Sequence, residues 1–524
     1  MKTLTITNFA GRLTRYNDGD INSGYAKYAT SFGYDPFSKP GNLTWMEIPI
    51  QIDSSEATID DAIMDGKTRI ESGLIYMYGI GSVNKRLYKV QVNASGNANF
   101  DTPSILTTIS STVSYSPSID FAGATERIYL GINGGVLRID FDGTNEQMIG
   151  TAGSYTANVP RPLQQFQGKL YFGNGSNIGE IDIAANTVIS YAKLSPSLPA
   201  NTQVRDLDIS SDGNYLIITV SRQTLDVINI TGQDQRLASN LESYTFKWNG
   251  SDLGATALNI FPQSLTANIT FGDKQYTFGS DTFGGSVFNP INKIITQPKA
   301  VAPYPHAMDI SGNLISWITP EYDGGVLKAS QFIYGTLDEE VPTGLWRLQR
   351  MSSKSPQTDI LRIPLQRFVM NNVYGESYSA YASDVVGTGK LYFSTLETTS
   401  VTQIYRFYKS FLVSTGSGTP TAGVYETQNQ LFSKKVRIKQ VRVYGEPWVA
   451  NNEFTIALIG SDNAAITNSS QTFTVGTNVT AGDDFAWYNP AIETTYALGV
   501  RITNVGTVNN TISKIEIDYD EGGL

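Results

Sequence analysis

Residues 168–183 read GKLYFGNGSNIGEIDI. An apolar-aromatic run, Leu170-Tyr171-Phe172, enters a turn rich in Gly and Asn, and Ile181-Asp182-Ile183 returns. Alternating apolar residues on both sides of a turn that tolerates positive φ specify a β-hairpin. The chain repeats the phrase. Residues 126–141, ERIYLGINGGVLRIDF, place Asp140 11 residues after Tyr129, the spacing from Tyr171 to Asp182. Two hairpins in the same register announce a repeat architecture.

Working outward, strand-like anchors recur at Tyr76, Tyr129, Tyr171, Leu216, Ile315 and Tyr392, at intervals of 53, 42, 45, 99 and 77 residues. A four-stranded propeller blade occupies about 40–50 residues, so the first three intervals fit one blade each. The two long intervals then hide further units, with Tyr276-Thr277-Phe278 and residues 360–369 (ILRIPLQRFV) as candidates. The expectation is an all-β chain: a β-propeller of six to eight blades, seven being the central value, over residues 71–413. A period this loose also fits a series of sandwiches. The run Ser210-Ser211-Asp212-Gly213-Asn214-Tyr215-Leu216 resembles the blade signature of TolB-like and lactonase-like propellers, in which the Asp-Gly pair closes a turn between strands. Residues 234–290 interrupt the rhythm and read as an elaborated blade or an insertion.

Flanking segments have a different texture. Residues 1–70 read as an N-terminal lead-in: a short strand at Leu4-Thr5-Ile6, irregular Gly/Asn/Asp/Tyr-rich chain, renewed alternation over 45–52, and one helical turn at 60–64. The tract 414–423, STGSGTPTAG, is a linker, since Gly, Ser, Thr and Pro contribute no core. After it, residues 424–524 hold enough alternating runs for a jelly-roll-like β-sandwich. The acidic end, DYDEGGL, reads as a solvated tail.

Composition agrees with short strands and tight turns. The 524 residues include 48 Gly, 29 Tyr and 23 Phe, and only 16% are charged; aromatic and β-branched residues fit pleated surfaces. The complete lack of cysteine removes disulfides, thiolate metal sites and cysteine nucleophiles. A net charge of −10 opposes phosphate binding; it reads first as ordinary solubility, although an acidic surface also suits a conduit along which DNA slides. No run of apolar residues is long enough to span a bilayer, and the N-terminus lacks the pattern of a signal peptide.

The search for chemistry is thin. His306 is the only histidine; it has no G-x-S-x-G elbow to serve, and it reads as a loop residue at a blade edge. Asp140, Asp182 and Asp208 fall at related blade positions, which suggests turn or inter-blade hydrogen bonds more than a catalytic pair. Residues 17–20 (NDGD) cluster oxygens without EF-hand spacing. Trp448, Trp487 and Tyr488 could stack on sugar rings, or they could be sandwich core. No catalytic, cofactor or metal residue is expected.

The N-terminus carries a resemblance. TITNFAGRL at 5–13, followed by Pro40-Gly41-Asn42-Leu43, resembles virion proteins of tailed bacteriophages, which open with a short strand, an N-F-x-G-G-L turn and a later P-G-x-L segment. Asn8, Phe9, Gly11 and Leu13 match, and Arg12 replaces the second glycine. Residues 424–447, VYETQNQLFSKKVRIKQVRVYGEP, resemble the strand that joins propeller to sandwich in tail nozzle and hub proteins. The resemblance implies a non-enzymatic virion tail protein without cofactor, assembled in the host cytoplasm. It also implies a homo-oligomeric, hexameric ring around the DNA exit path, contacting adaptor and fibre proteins. Two alternatives stand beside it: a glycan-binding receptor or capsid decoration protein, and a glycan-cleaving propeller enzyme, which needs two carboxylates about 5–10 Å apart.

Overall fold

The computed structural model describes residues 1–9, 28–35, 42–45, 50–51, 63–92, 104–110, 118–222, 242–290, 304–318, 344–411 and 423–521, with short breaks inside several of these ranges. For residues 28–32 and 264–411 it gives strands without side-chain detail. Contacts group the chain into two compact units, residues 50–344 with 368–409, and residues 1–49 with 345–367 and 410–524.

The fold is all-β, a propeller with a β-sandwich. Among the described residues, seven small antiparallel sheets follow one another along the chain. They span residues 63–108, 118–149, 163–190, 202–261, 264–290, 304–367 and 374–411. The fifth sheet shows three strands and the others four. The first strand of each sheet neighbours the first strand of the next, and Tyr374–Ala382 of the seventh neighbours Ile63–Glu71 of the first, so the series closes into a ring. The fourth strand of the seventh sheet comes from the other end of the chain: Ile50–Gln51 pairs with Gln403–Phe411, through Gln51↔Tyr408 and Ile50↔Lys409. A strand borrowed from before the first sheet ties the ring shut.

All six sequence anchors lie on the second strand of a sheet. Tyr129 and Tyr171 are buried, facing Arg138 and Glu180 in matching hairpin registers. Gly179 lies opposite Phe172, and a Cβ there would stand 1.9 Å from the Phe172 ring, so the ring requires glycine beneath it. The Asp212-Gly213 turn forms as its signature implies. Gly213 has φ +72°, the Asp212 carboxylate accepts from Ser210 Oγ and the Asn214 N–H, and Ser210 Oγ accepts from the Tyr215 N–H.

Several expectations are revised. Residues 243–261 complete the fourth sheet and 264–290 build the fifth, so the described part of 234–290 is regular blade structure. Tyr276 sits on the second strand of the fifth sheet, as a hidden blade requires, whereas Ile360–Arg367 is the fourth strand of the sixth sheet. Ile63 and Met64 begin a strand rather than closing a helical turn.

The lead-in segment also differs from the expectation of a separate region. Lys2–Thr7 pairs with Thr511–Glu521, and Leu43–Trp45 pairs with that same strand through Leu43↔Ile512. Thr511–Glu521 lies in turn against Gln430–Gly445. The other layer of the sandwich holds Gly423–Thr427, Glu453–Ile459, Gln471–Thr474 and Thr495–Asn504. Between the layers sits one aromatic and aliphatic core that includes Leu4, Ile6, Trp45, Phe454, Val500 and Ile517.

The acidic C-terminus is a strand here rather than a tail. Its charges are matched on both sides: Lys2 to Glu521 at 2.6 Å, Lys439 to Asp520 at 3.2 Å, and Arg442 to Asp518 at 2.6 Å. Exposed ion pairs add little stability but oppose an unpaired run of like charge.

The sandwich therefore depends on its first residues. Ile6→Ala is expected to cost about 2–4 kcal/mol through the cavity it leaves. Urea unfolding followed by tryptophan fluorescence measures this, and an unchanged midpoint would refute the pairing of the two termini.

Candidate functional site

The innermost propeller strands carry a device that no spacing in the sequence announced. In the first sheet the register shifts between Ile63 and Asp65, a β-bulge that turns Asp65 toward the next blade. One Asp65 carboxylate oxygen accepts from the Gly66 N–H at 2.8 Å, and the other from the Ile119 N–H of the second sheet at 2.9 Å. Asp120 repeats the arrangement one blade on, accepting from the Phe121 N–H at 2.8 Å and from the Gln165 N–H of the third sheet at 3.1 Å. Asp206 in the fourth sheet also follows a register shift and accepts from the Leu207 N–H at 2.9 Å.

Lys67 reaches across to donate to Asp120. Burial pushes the Asp65 carboxyl up to about 7. Its two backbone N–H partners and Lys67 oppose that rise, and the charge of Asp120 adds to it. Both oxygens of Asp65 and of Asp120 are engaged by backbone N–H groups. That geometry fastens blade to blade, whereas general acid–base work needs a carboxyl aimed at a substrate.

Between the second and third sheets lies Arg161, fully buried. Its guanidinium donates to the carbonyls of Ile132 (2.9 Å), Gly173 (3.1 Å) and Thr156 (2.7 Å), and to Asn174 Oδ1 (3.0 Å). The Tyr155 ring lies 4.8 Å from it. Burial lowers its pKa to about 10, so it stays charged at neutral pH. Gly131 passes so close that a Cβ would stand 2.0 Å from the Arg161 carbonyl oxygen. Glu180, also buried, accepts from Lys169 and lies 2.5 Å from Lys193. Burial would raise its pKa, but the two ammonium groups together hold it below the usual carboxylate range.

An open cleft of about 730 Å³ is lined by Arg69, residues 123–127, Asp140, Phe141 and Asp142. Its charges are paired internally: Arg69 stacks 3.7 Å from the Phe141 ring and bonds Glu126 at 2.9 Å, while Arg127 holds Asp140 at 2.5 Å. Asp142, whose carboxylate is engaged by the Thr144 N–H and hydroxyl, leaves the lining one negative charge in excess.

The expected candidates scatter. Asp140 pairs with Arg127, Asp182 caps a turn through the Ala184 and Ala185 N–H groups, and Asp208 lies in a strand opposite Ile217. They do not converge. His306 lies within Tyr304–Met308, the first strand of the sixth sheet, at a register shift between Pro305 and Ala307, not in a loop; its side chain is outside the described residues. Residues 17–20 lie outside them too. Among the described residues no three His, Asp or Glu side chains gather as a metal site. No described helix is long and apolar enough to cross a membrane.

Of the proposed sugar contacts, Trp448 and Tyr488 belong to the core, and Tyr488 donates to the Ser469 carbonyl at 2.8 Å. Trp487 alone faces outward, 53% exposed. The alternation of strand Phe485–Tyr488 puts residues 485 and 487 on one face and 486 and 488 on the other. Trp487 lies opposite Arg442, and Phe485 opposite Tyr444 with ring centroids 5.0 Å apart. Lys514 covers the Tyr444 ring at 3.9 Å, and Arg442 reaches Asp518 at 2.6 Å and Glu516 at 3.4 Å. Phe485 and Tyr444 were not foreseen; the alternation of 485–488 is the signal that could have found the first.

No known family matches the chain, and no curated protein matches it. Solved structures similar to it are distant. One is the extracellular domain of a putative hybrid two-component system from B. thetaiotaomicron, 11% identical, covering 92% of this chain and 64% of that one, with a TM-score of 0.42. Another is the C-terminal WD40 domain of Sif2, 11% identical, covering 70% of this chain and 99% of that one, with a TM-score of 0.40. A third is a family 43 arabinoxylan arabinofuranohydrolase from Bacillus subtilis, 9% identical, covering 90% of this chain and 99% of that one, with a TM-score of 0.28. The fold stands on its own strand order, and these likenesses carry nothing about activity.

Two measurements check the inter-blade groups. Arg161→Met removes a charged donor from at least four oxygens, of which Asn174 Oδ1 keeps the Thr156 N–H, and is expected to cost about 3 kcal/mol in chemical unfolding, with Arg161→Lys in between. For Asp65, a folded-state pKa raised above the unfolded value favours folding at low pH. That contribution is lost as pH rises from about 4 to about 7. The thermal midpoint of Asp65→Asn minus that of the wild type should therefore become more positive between pH 5 and pH 8. A difference independent of pH would show that the Asp65 proton is not linked to folding.

Proposed function

We propose that the chain is a non-enzymatic structural component of a tailed-bacteriophage particle, a tail nozzle or hub protein that assembles as a ring around the DNA exit path. One observation carries this reading: the three segments that resemble tail proteins meet in the same sandwich. Phe9 of the N-terminal motif is fully buried, stacks edge-on against Tyr425 at 5.6 Å, and accepts at its carbonyl from Tyr425 Oη at 3.1 Å. Leu43 of the second segment pairs with Ile512. Tyr425 and strand Gln430–Gly445 belong to the third. The described residues of these segments are thus architectural residues of one domain, which favours a scaffold over a site. The closed ring of sheets supports the same reading, because blades packed on both faces make a rigid building block. A net charge of −10 suits a surface that DNA passes without adhering.

The receptor or decoration alternative is favoured by one feature, the outward face of Phe485–Tyr488. The two readings separate by position. Gold-labelled antibody against the purified chain, applied to particles from the source, is expected to decorate the tail axis. Label on the head or on fibres would favour receptor binding or decoration. No label on any particle, with the epitope shown to be accessible, would overturn the virion reading.

A further inference from the structure

The edge of the sandwich poses a separate question. Strand Phe485–Tyr488 pairs only with Gln430–Gly445 among the described residues, which makes it an edge strand. Edge strands are commonly guarded by charge, bulges or proline, because open N–H and C=O groups invite pairing. This one instead displays Trp487, 53% exposed, and Phe485, 36% exposed. Ala486 and Tyr488 supply the buried side of the strand, so the sandwich core does not use the two outward rings.

The polar groups beside the rings narrow what could cover them. Arg442 and Lys514 bring two positive charges, and Glu516 and Asp518 bring two negative ones, joined by ion pairs of 2.6 to 3.4 Å. The patch is neutral as a whole. A phosphate-bearing or acidic polymer would need a surplus of positive charge, and a basic segment a surplus of negative charge. A neutral polyol matches both halves of the surface. Its C–H face stacks on an indole, and its hydroxyls exchange hydrogen bonds with carboxylates and a guanidinium held in place by one another. Arg442 also keeps a buried Nε donor without a partner, beside the row that ends in Trp487.

We propose that this face, built from Trp487, Phe485, Tyr444, Arg442, Glu516 and Asp518, is a binding site for neutral oligosaccharide. The indole is the stacking platform, the Arg442 cluster supplies polar contacts, and the open sheet face admits an extended chain rather than enclosing a single sugar. The inference does not depend on where the protein sits in a particle.

The test uses the full chain. It is applied to a printed array of neutral and acidic oligosaccharides, and the strongest neutral ligand is then titrated by calorimetry. Retention of neutral glycans is expected, with Trp487→Ala weakening the titrated affinity by about tenfold or more and Trp487→Phe by less. Because residue 487 faces solvent, the thermal midpoint of both variants should match the wild type. Retention of acidic glycans alone, no retention at all, or an affinity unmoved by Trp487→Ala would overturn the proposal. So would a change in oligomer mass on light scattering caused by Trp487→Ala, since the patch would then be covered by another copy of the chain.

Discussion

Closure of the ring is the constraint from which the propeller follows. Seven sheets packed face against face leave one face of the first and one of the last uncovered unless the two meet, and an uncovered apolar face is costly to leave in water. Two devices meet the requirement. Along the ring, Asp65 and Asp120 extend from one inner strand to the backbone of the next. At the seam, Ile50–Gln51 supplies the outer strand of the seventh sheet from a point in the chain before the first sheet begins. The carboxylates are placed by local geometry, and the seam is fixed by chain threading.

Buried charge is the recurring means of joining blades. Arg161 satisfies carbonyls of two sheets, while within the third blade Glu180 is held by two lysines. A buried ion is costly unless each of its donors or acceptors is met, so each such group specifies the position of the groups around it. Apolar packing alone would tolerate small rotations of one blade against the next. A guanidinium bonded to carbonyls of both sheets does not. The sandwich applies the same logic at its surface, where the acidic last strand is accommodated because lysines and an arginine line both of its neighbours.

The sandwich also separates two kinds of aromatic residue that look alike in sequence. Trp448, Trp487 and Tyr488 fall close together, and any of them could have been a platform for a ligand. Strand alternation puts Tyr488 on the buried face, and Trp448 is fully enclosed against Phe454, with ring centroids 5.2 Å apart. Only Trp487 is left to the outside. Arg442 opposite it and Tyr444 opposite Phe485 come from a strand some 40 residues earlier, so the composition of the patch is a product of strand pairing and could not be seen in the local sequence.

The repeat is legible along the chain. Hairpin alternation, turn glycines and a tyrosine or aliphatic anchor on each second strand are local properties with local causes, and they named a propeller and a following sandwich. They also located the Asp212-Gly213 turn and the fifth blade at Tyr276. Contacts across the chain decided the rest: that residues 50–51 close the ring, that the first and last described strands lie in one sheet, that the fifth interval is long without a further blade among the described residues, and that Asp65 and Asp120 are fasteners. Each of these depends on contacts between residues far apart in the chain. Spacing and periodicity report what a residue's neighbours along the chain require, and they carry no signal for a partner that arrives tens or hundreds of residues away.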